Sequence, residues 1–201
     1  MDEAGIVAAG SVAGVELWRI DLDGLAPGAD RLLSDAELAR AARHTRPLDR
    51  DRFVAGRAAL RLVLARYGSE APAGLALQVT PQGKPFLPGG PPFSLSRSGG
   101  VALLGVGRDR ELGVDLERVR EIPEAAGIAA RLFGERERAA WRAAGGDRGE
   151  AFLRIWTRKE ALLKALGLGL AGAQGAPPPE AAELHDLDVA PGHLAALAVA
   201  R

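Results

Sequence analysis

Hydrophobic positions along the chain switch between a period of two and a period near 3.6, and the switches divide it into elements. Trp18 to Asp23 (WRIDLD) reads as a strand. The segment SDAELARAARH reads as a helix, with Ser34 as N-cap and Glu37 closing a capping box. A long helix is expected around RFVAGRAALRLVLARYG, apolar at Phe53, Leu60, Leu64 and Tyr67 and stopped by Gly68. The pattern then returns. GVDLE (Gly113 to Glu117) is a strand, GERERAAWRAA a helix, and AFLRIWTRKEALLKALG a second long helix stopped by Gly167. Phe53 and Phe152 are 99 positions apart, as are Gly68 and Gly167, which suggests a duplicated unit.

Between the two copies, LALQVTPQGKPFLPGGPPFSLSRSGGVALLGVG predicts strand, turn, strand, turn, strand. Leu77 and Val79 alternate with polar neighbours, breaks fall at Gly83 to Pro85 and Pro88 to Pro92, and Val101 to Val106 is a short buried strand. After Gly169, AGAQGAPPPEAAE predicts a loop. HDLDVAPGHLAALAVA then supplies two closing strands around Pro191 and Gly192. The expected fold class is α+β (α/β), with two similar pseudo-symmetric subdomains, 1–106 and 107–201, and a cleft between them.

Composition narrows the function. A chain of 201 residues that is 47% hydrophobic can bury a real core, and the absence of cysteine excludes a disulfide scaffold. Twenty-six basic residues balance 26 acidic ones, so no bulk field draws the protein to nucleic acid or to an anionic membrane. The N-terminal segment lacks the basic opening of a signal peptide, and no apolar run nears the ~18 residues of a membrane span. A cytoplasmic location is expected. Only three of the 26 cations are lysines, Lys84, Lys159 and Lys164; the pattern is either chance or a sign that those positions need a flexible point charge that a guanidinium cannot replace.

Asp115 and Glu117 stand at i and i+2 of a strand, so both carboxylates leave the same face. The first half has a near copy in Asp21 and Asp23. What separates the halves is the long helix: Leu153, Trp156, Glu160, Leu163 and Gly167 recur at spacings of three and four, which puts Glu160 in or beside the apolar stripe. The position 99 residues earlier is Arg61. Only the second half can therefore bring a third carboxylate to its strand pair, and Asp115, Glu117 and Glu160 would form an all-oxygen site suited to Mg²⁺. Lys164, one turn beyond Glu160, could meet a metal-bound phosphate. The competing reading of this pair is a surface i,i+4 ion pair contributing ~0.3–0.5 kcal/mol.

Lys84, together with Ser94, Ser96, Arg97, Ser98 and Gly99 in FSLSRSGG, suits a phosphate monoester. Arg46, Arg50, Arg52 and Arg57 make the start of the first long helix basic. His44, His185 and His193 are far apart and read as surface residues. No phosphate-binding G-x-x-x-x-G-K loop, nucleophile elbow or zinc pattern is present.

GVDLE followed by WTRKEALLKALGLGL resembles the paired signatures of the 4'-phosphopantetheinyl transferases. The preceding basic helix start, R-x-x-L-R-like helix, G-K-P and F-x-x-S-x-S-G segments resemble the longer, Sfp-type branch, from about Arg43 to Leu170. The resemblance implies a pseudo-dimeric fold that binds coenzyme A between its halves and transfers phosphopantetheine to a serine of an apo acyl or peptidyl carrier protein. It further implies Mg²⁺ on Asp115, Glu117 and Glu160 of the C-terminal subdomain, Glu160 as base and Lys164 at the pyrophosphate. Lys84, Ser96 and Arg97 would lie near the 3'-phosphate, with Arg46 at the phosphates. The family often has N-x-S-H where this chain has Ser94-Leu95-Ser96-Arg97, which bears on coenzyme A selectivity. Two fused halves make a second subunit unnecessary, so a monomer is expected. Alternatives are a Mg²⁺-dependent coenzyme A or nucleotide pyrophosphohydrolase, which needs no carrier, and a non-catalytic nucleotide-binding module.

Overall fold

The structure is a computed structural model that describes residues 5–24, 27–145, 147–174 and 179–201. In chain order its elements are β1 (Ile6–Val12), β2 (Val15–Asp21), α1 (Asp35–Ala41), α2 (Pro47–Leu64), β3 (Gln78–Val79), β4 (Pro85–Phe86), β5 (Phe93–Ser98) and β6 (Val101–Val106). They continue with β7 (Leu112–Arg118), α3 (Ala125–Leu132), α4 (Glu135–Ala143), α5 (Arg148–Ala165), β8 (Ala182–Leu187) and β9 (His193–Ala200).

The sheets repeat one topology. A four-stranded sheet has the order β1-β2-β6-β5 and a three-stranded sheet the order β7-β9-β8. Without the outer β1, each is a strand followed by helices and then a hairpin whose second strand returns beside the first. The helices that intervene include α2 and α5, 18 residues each. Every strand pairing is antiparallel, so the architecture is α+β. The short β3-β4 ribbon belongs to the first half and α3 to the second.

Local chemistry explains the element boundaries. β2 begins at Val15, three residues before the expected start, because Val15, Leu17 and Ile20 all enter the core. It stops at Asp21, whose Oδ1 accepts from the backbone N–H of Asp23 and of Gly24 and turns the chain. Asp21 and Asp23 therefore do not share a strand face, and Asp23 instead grips Arg52 through two bonds of 2.7 and 2.8 Å. The Ser34 capping box forms as expected. Pro47 at the first turn lets α2 start five residues before Arg52. At the other end of the repeat, Gly167 has a φ of 66°, the left-handed conformation that ends α5.

Each half ties its short helix, α1 or α4, to its long helix through one glutamate. Glu37 Oε2 accepts from Arg61 Nε at 2.9 Å, and Glu137 Oε2 accepts from Lys159 Nζ at 2.9 Å and from the Gly134 N–H at 2.7 Å. Both cations are almost fully buried. Lys159 is thus a structural link between α4 and α5.

One hydrophobic cluster joins α2 to the inner face of the first sheet through Leu60, Val63 and Leu64 with Phe93 and Leu104. A second runs across both sheets, from Val15, Leu17 and Leu103 to Leu112, Val114, Leu116 and Leu197. The segment expected as a loop after Gly169 holds two short 3₁₀ turns, Leu170–Gln174 and Pro179–Ala181, while its residues 175–178 lie outside the described residues. No helix among the described residues is long and apolar enough to cross a membrane.

Candidate active site

The two sheets meet where the edge strand β5 lies along the edge strand β7. They are joined by side chains in place of a backbone ladder. Ser94, Ser96 and Ser98 alternate on β5, and their hydroxyls accept from the N–H groups of Val114, Leu116 and Arg118 at 3.1, 3.2 and 3.0 Å. Two of them also donate: Ser96 to Asp115 Oδ1 at 2.8 Å and Ser98 to Glu117 Oε2 at 3.0 Å.

Helix α5 lies directly over β7 because position 113 has no side chain. A Cβ there would stand 2.1 Å from the Ala161 carbonyl oxygen. This approach brings Lys164 Nζ to 2.6 Å from Asp115 Oδ1 and 3.2 Å from the Val114 carbonyl oxygen. Asp115 is buried, and its second oxygen, Oδ2, has no hydrogen-bond partner among the described residues. Glu117 is half-buried, and Arg120 stands 3.6 Å from its Oε2. Burial raises the pKa of Glu117, and so does the charge of Asp115, while the Ser98 hydroxyl, Arg120 and Lys164 oppose the rise. Glu160 is raised by burial and by the charges of Asp115 and Glu117, against the pull of Lys164. Three carboxylates of one strand and one helix thus share a field, with a single ammonium among them.

Such a set wants further positive charge. Among the described residues no three acidic or histidine side chains, Asp115, Glu117 and Glu160 included, are gathered closely enough to hold a metal ion as they stand, and Lys164 sits on Asp115. The donors nevertheless fit Mg²⁺: all are carboxylate oxygens, one is buried and unpartnered, and this ion completes its shell with water and substrate phosphates.

Ser96 and Arg97, which the sequence assigned together to one phosphate, leave opposite faces of β5, as adjacent strand residues must. Ser96 faces β7, and Arg97 faces α2, where its guanidinium lies 5.3 Å from the centre of the Phe53 ring. The guanidiniums of Arg40 and Arg57 stand 5.8 and 5.6 Å from the same ring, and the His44 ring lies tilted against it with centroids 5.2 Å apart. Loss of hydration, then the like charges of Arg57 and Arg40, push the Arg97 pKa down. No carboxylate among the described residues pairs with Arg97. Beside it opens a cavity of about 460 Å³ lined by Leu22, His44, Asp49, Arg52, Arg97 and Gly99. A larger one of about 790 Å³, against α1 and α2, adjoins it through Leu22 and His44 and is remote from the carboxylates.

The remaining candidates lie elsewhere. Lys84 Nζ bonds Glu111 at 2.7 Å and the Leu112 carbonyl oxygen at 2.9 Å, anchoring the turn between β3 and β4 to the start of β7. Arg46 is exposed as the N-cap of α2. Arg40 and His44 escaped the sequence reading, which took the histidines as surface groups. Their spacing of four was a signal that only the packing of Phe53 turns into a site. His193 likewise has partners, with its ring nitrogens 3.0 Å from the Pro191 carbonyl oxygen and 3.3 Å from that of Ser98.

The family model of the 4'-phosphopantetheinyl transferase superfamily matches residues 111–197, from the start of β7 into β9. The 4'-phosphopantetheinyl transferase HetI of Nostoc sp. is 39% identical over 166 residues, 78% of this chain and 70% of HetI. The chain belongs to the 4'-phosphopantetheinyl transferase superfamily. The protein slr0495 of Synechocystis sp. is 38% identical over 163 residues, 78% of this chain and 66% of its own length. The 4'-phosphopantetheinyl transferase AcpT of Salmonella typhi is 36% identical over 138 residues, 67% of each chain. The chain spans about two thirds of the length of these phosphopantetheinyl transferase relatives. Within the superfamily match lie all four of Asp115, Glu117, Glu160 and Lys164, whereas the arginine cluster around Phe53 lies before it.

Proposed function

We propose that this chain moves 4'-phosphopantetheine from coenzyme A to a serine of an apo acyl or peptidyl carrier protein, releasing adenosine 3',5'-bisphosphate. It would do so as a cytoplasmic monomer of the Sfp-type branch, with its two halves, 1–106 and 107–201, forming the cleft. The observation that carries this reading is the buried, unpartnered oxygen of Asp115 beside Glu117, Glu160 and Lys164, on the two elements that the family signatures occupy.

Asp115, Glu117 and Glu160 would hold Mg²⁺, which when bound neutralises charge on the pyrophosphate and orients it. The carrier serine Oγ bonds to the phosphorus bearing pantetheine, and the P–O bond to the adenosine-side phosphate breaks. Glu160 takes the hydroxyl proton. Lys164 exchanges Asp115 for the phosphate oxygen on which charge develops. Intact mass of an apo carrier incubated with the protein, coenzyme A and Mg²⁺ tests this. The expected result is a gain of one phosphopantetheine. Breakdown of coenzyme A at the same rate without carrier would establish a hydrolase in its place.

Arg97, with Arg40 and Arg57 around Phe53, would receive the 3'-phosphate, because Arg97 itself pairs with no carboxylate among the described residues and borders an open cavity, while Arg57 stands 3.9 Å from Glu37. Arg97→Ala is expected to raise KM for coenzyme A at least about tenfold with little change in kcat, as for a lost hydrogen bond to a charged group. Dephospho-coenzyme A, which lacks that phosphate, should be affected far less. Equal losses on the two donors would remove the assignment.

A further inference from the structure

The three serines of β5 make the same bond to β7 but do not have the same neighbours. Each hydroxyl accepts from the N–H of an even-numbered β7 residue, 3.0–3.2 Å away. The residue just before each of those is Gly113, Asp115 or Glu117 in turn. Ser94 has no side chain to meet at Gly113. Ser96 and Ser98 meet carboxylates, and each spends its hydroxyl proton on one, at 2.8 and 3.0 Å. A hydroxyl fixed as acceptor by a backbone N–H has its proton aimed, so it orients the carboxylate that takes it.

We propose that Ser96 and Ser98 are positioning residues, through which the first half of the chain sets the orientation of the two carboxylates of the second half toward the cation. Each leaves one carboxylate oxygen free of its hydroxyl: Oδ2 of Asp115, which is buried and unpartnered, and Oε1 of Glu117. Cation affinity then depends on the register of β5 against β7, and separating the two strands loosens the site without touching a ligand. The inference rests on the reading of Asp115 and Glu117 as metal ligands.

Ser94 provides the internal control, because Ser94→Ala removes the same link between sheets without a carboxylate at stake. Mn²⁺ binding to the whole protein, alone and with coenzyme A, is followed by loss of the free-ion electron paramagnetic resonance signal. Ser98→Ala, and likewise Ser96→Ala, is expected to weaken Mn²⁺ binding at least about tenfold, the scale for loss of a group that orients a ligand. Ser98→Thr, which keeps the hydroxyl, should bind within about threefold of the parent, well short of that loss. Ser94→Ala should bind as the parent does, even where its melting temperature falls. Parent-like binding by Ser98→Ala, or equal weakening by Ser94→Ala, would overturn the proposal. Failure of the parent protein to bind Mn²⁺ under either condition would remove the metal reading itself, and the inference with it.

Discussion

Glu160→Gln should reduce transfer by at least about a hundredfold, the scale for a lost general base, and should at the same time raise the melting temperature of the metal-free protein near neutral pH. Both effects have one origin. Burial and the charges of Asp115 and Glu117 hold the Glu160 pKa above 4.5, with Lys164 offsetting part of that rise. The folded state therefore binds this proton more tightly than the unfolded chain does. Its stability contribution is fully present below the unfolded value of 4.5 and is lost as pH rises through the folded one. Glutamine keeps the shape without the charge, so the variant's advantage should be seen near neutral pH and should vanish below 4.5. Thermal melts across that range, in a chelator, together with carrier-modification rates in Mg²⁺, separate the two effects. Retention of more than about a tenth of the parent rate would show that Glu160 is not the base.

A gain in stability on removing a functional group also explains why this site was legible in sequence. A carboxylate in the apolar stripe of a helix makes no sense for folding alone, and Glu160 stands out for that reason where Arg61, its counterpart, does not. Arg61 has a packing explanation: it is buried and bonds Glu37 and the backbone carbonyls of Pro72 and Leu75. The duplicated order of elements was legible too, because Ser34 with Glu37 and Gly167 are local signals. Less visible was what lies across from each strand. The serines of β5 carry the period of two that puts all three on one face, but only the tertiary meeting of β5 and β7 shows that this face meets Asp115 and Glu117. The same period places Arg97 on the other face, so its separation from Ser96 could have been read from the sequence. The company of Arg97 could not, since Arg40, His44 and Arg57 reach it only through the ring of Phe53.

Gly113→Ala is expected to cost more stability than the same substitution at any other glycine among the described residues. The new carbon would lie 2.1 Å from the Ala161 carbonyl oxygen, 2.5 Å from the Ala165 nitrogen and 2.7 Å from Lys164 Cβ. Two of these are main-chain atoms of α5, so no rotamer change relieves the clash. Residues 112–118 are paired with β9 along their whole length, and Ala161 and Ala165 pack on Ala196 and Ala198 behind them. Strand and helix must separate. Overpacking of a core commonly costs ~1–3 kcal/mol, and a main-chain clash belongs at or above the upper end. For a chain of this size ~3 kcal/mol corresponds to a fall in melting temperature of about 6–12 °C. Gly127 supplies the comparison: it lies inside α3 with nothing within 4 Å of its Cβ position. There the same substitution should be neutral or stabilise by ~0.5–1 kcal/mol through helix propensity. Circular dichroism melts should therefore fall for Gly113→Ala and stay level or rise for Gly127→Ala. Any shift that lifts α5 from β7 also carries Glu160 and Lys164 away from Asp115 and Glu117. The Gly113→Ala protein that remains folded should accordingly bind Mn²⁺ more weakly than the parent, while Gly127→Ala should bind it equally well. A Gly113→Ala protein that melts with the parent would mean that α5 does not lie against β7, and with that contact would go the joining of the two strand carboxylates to Glu160 and Lys164 of the helix.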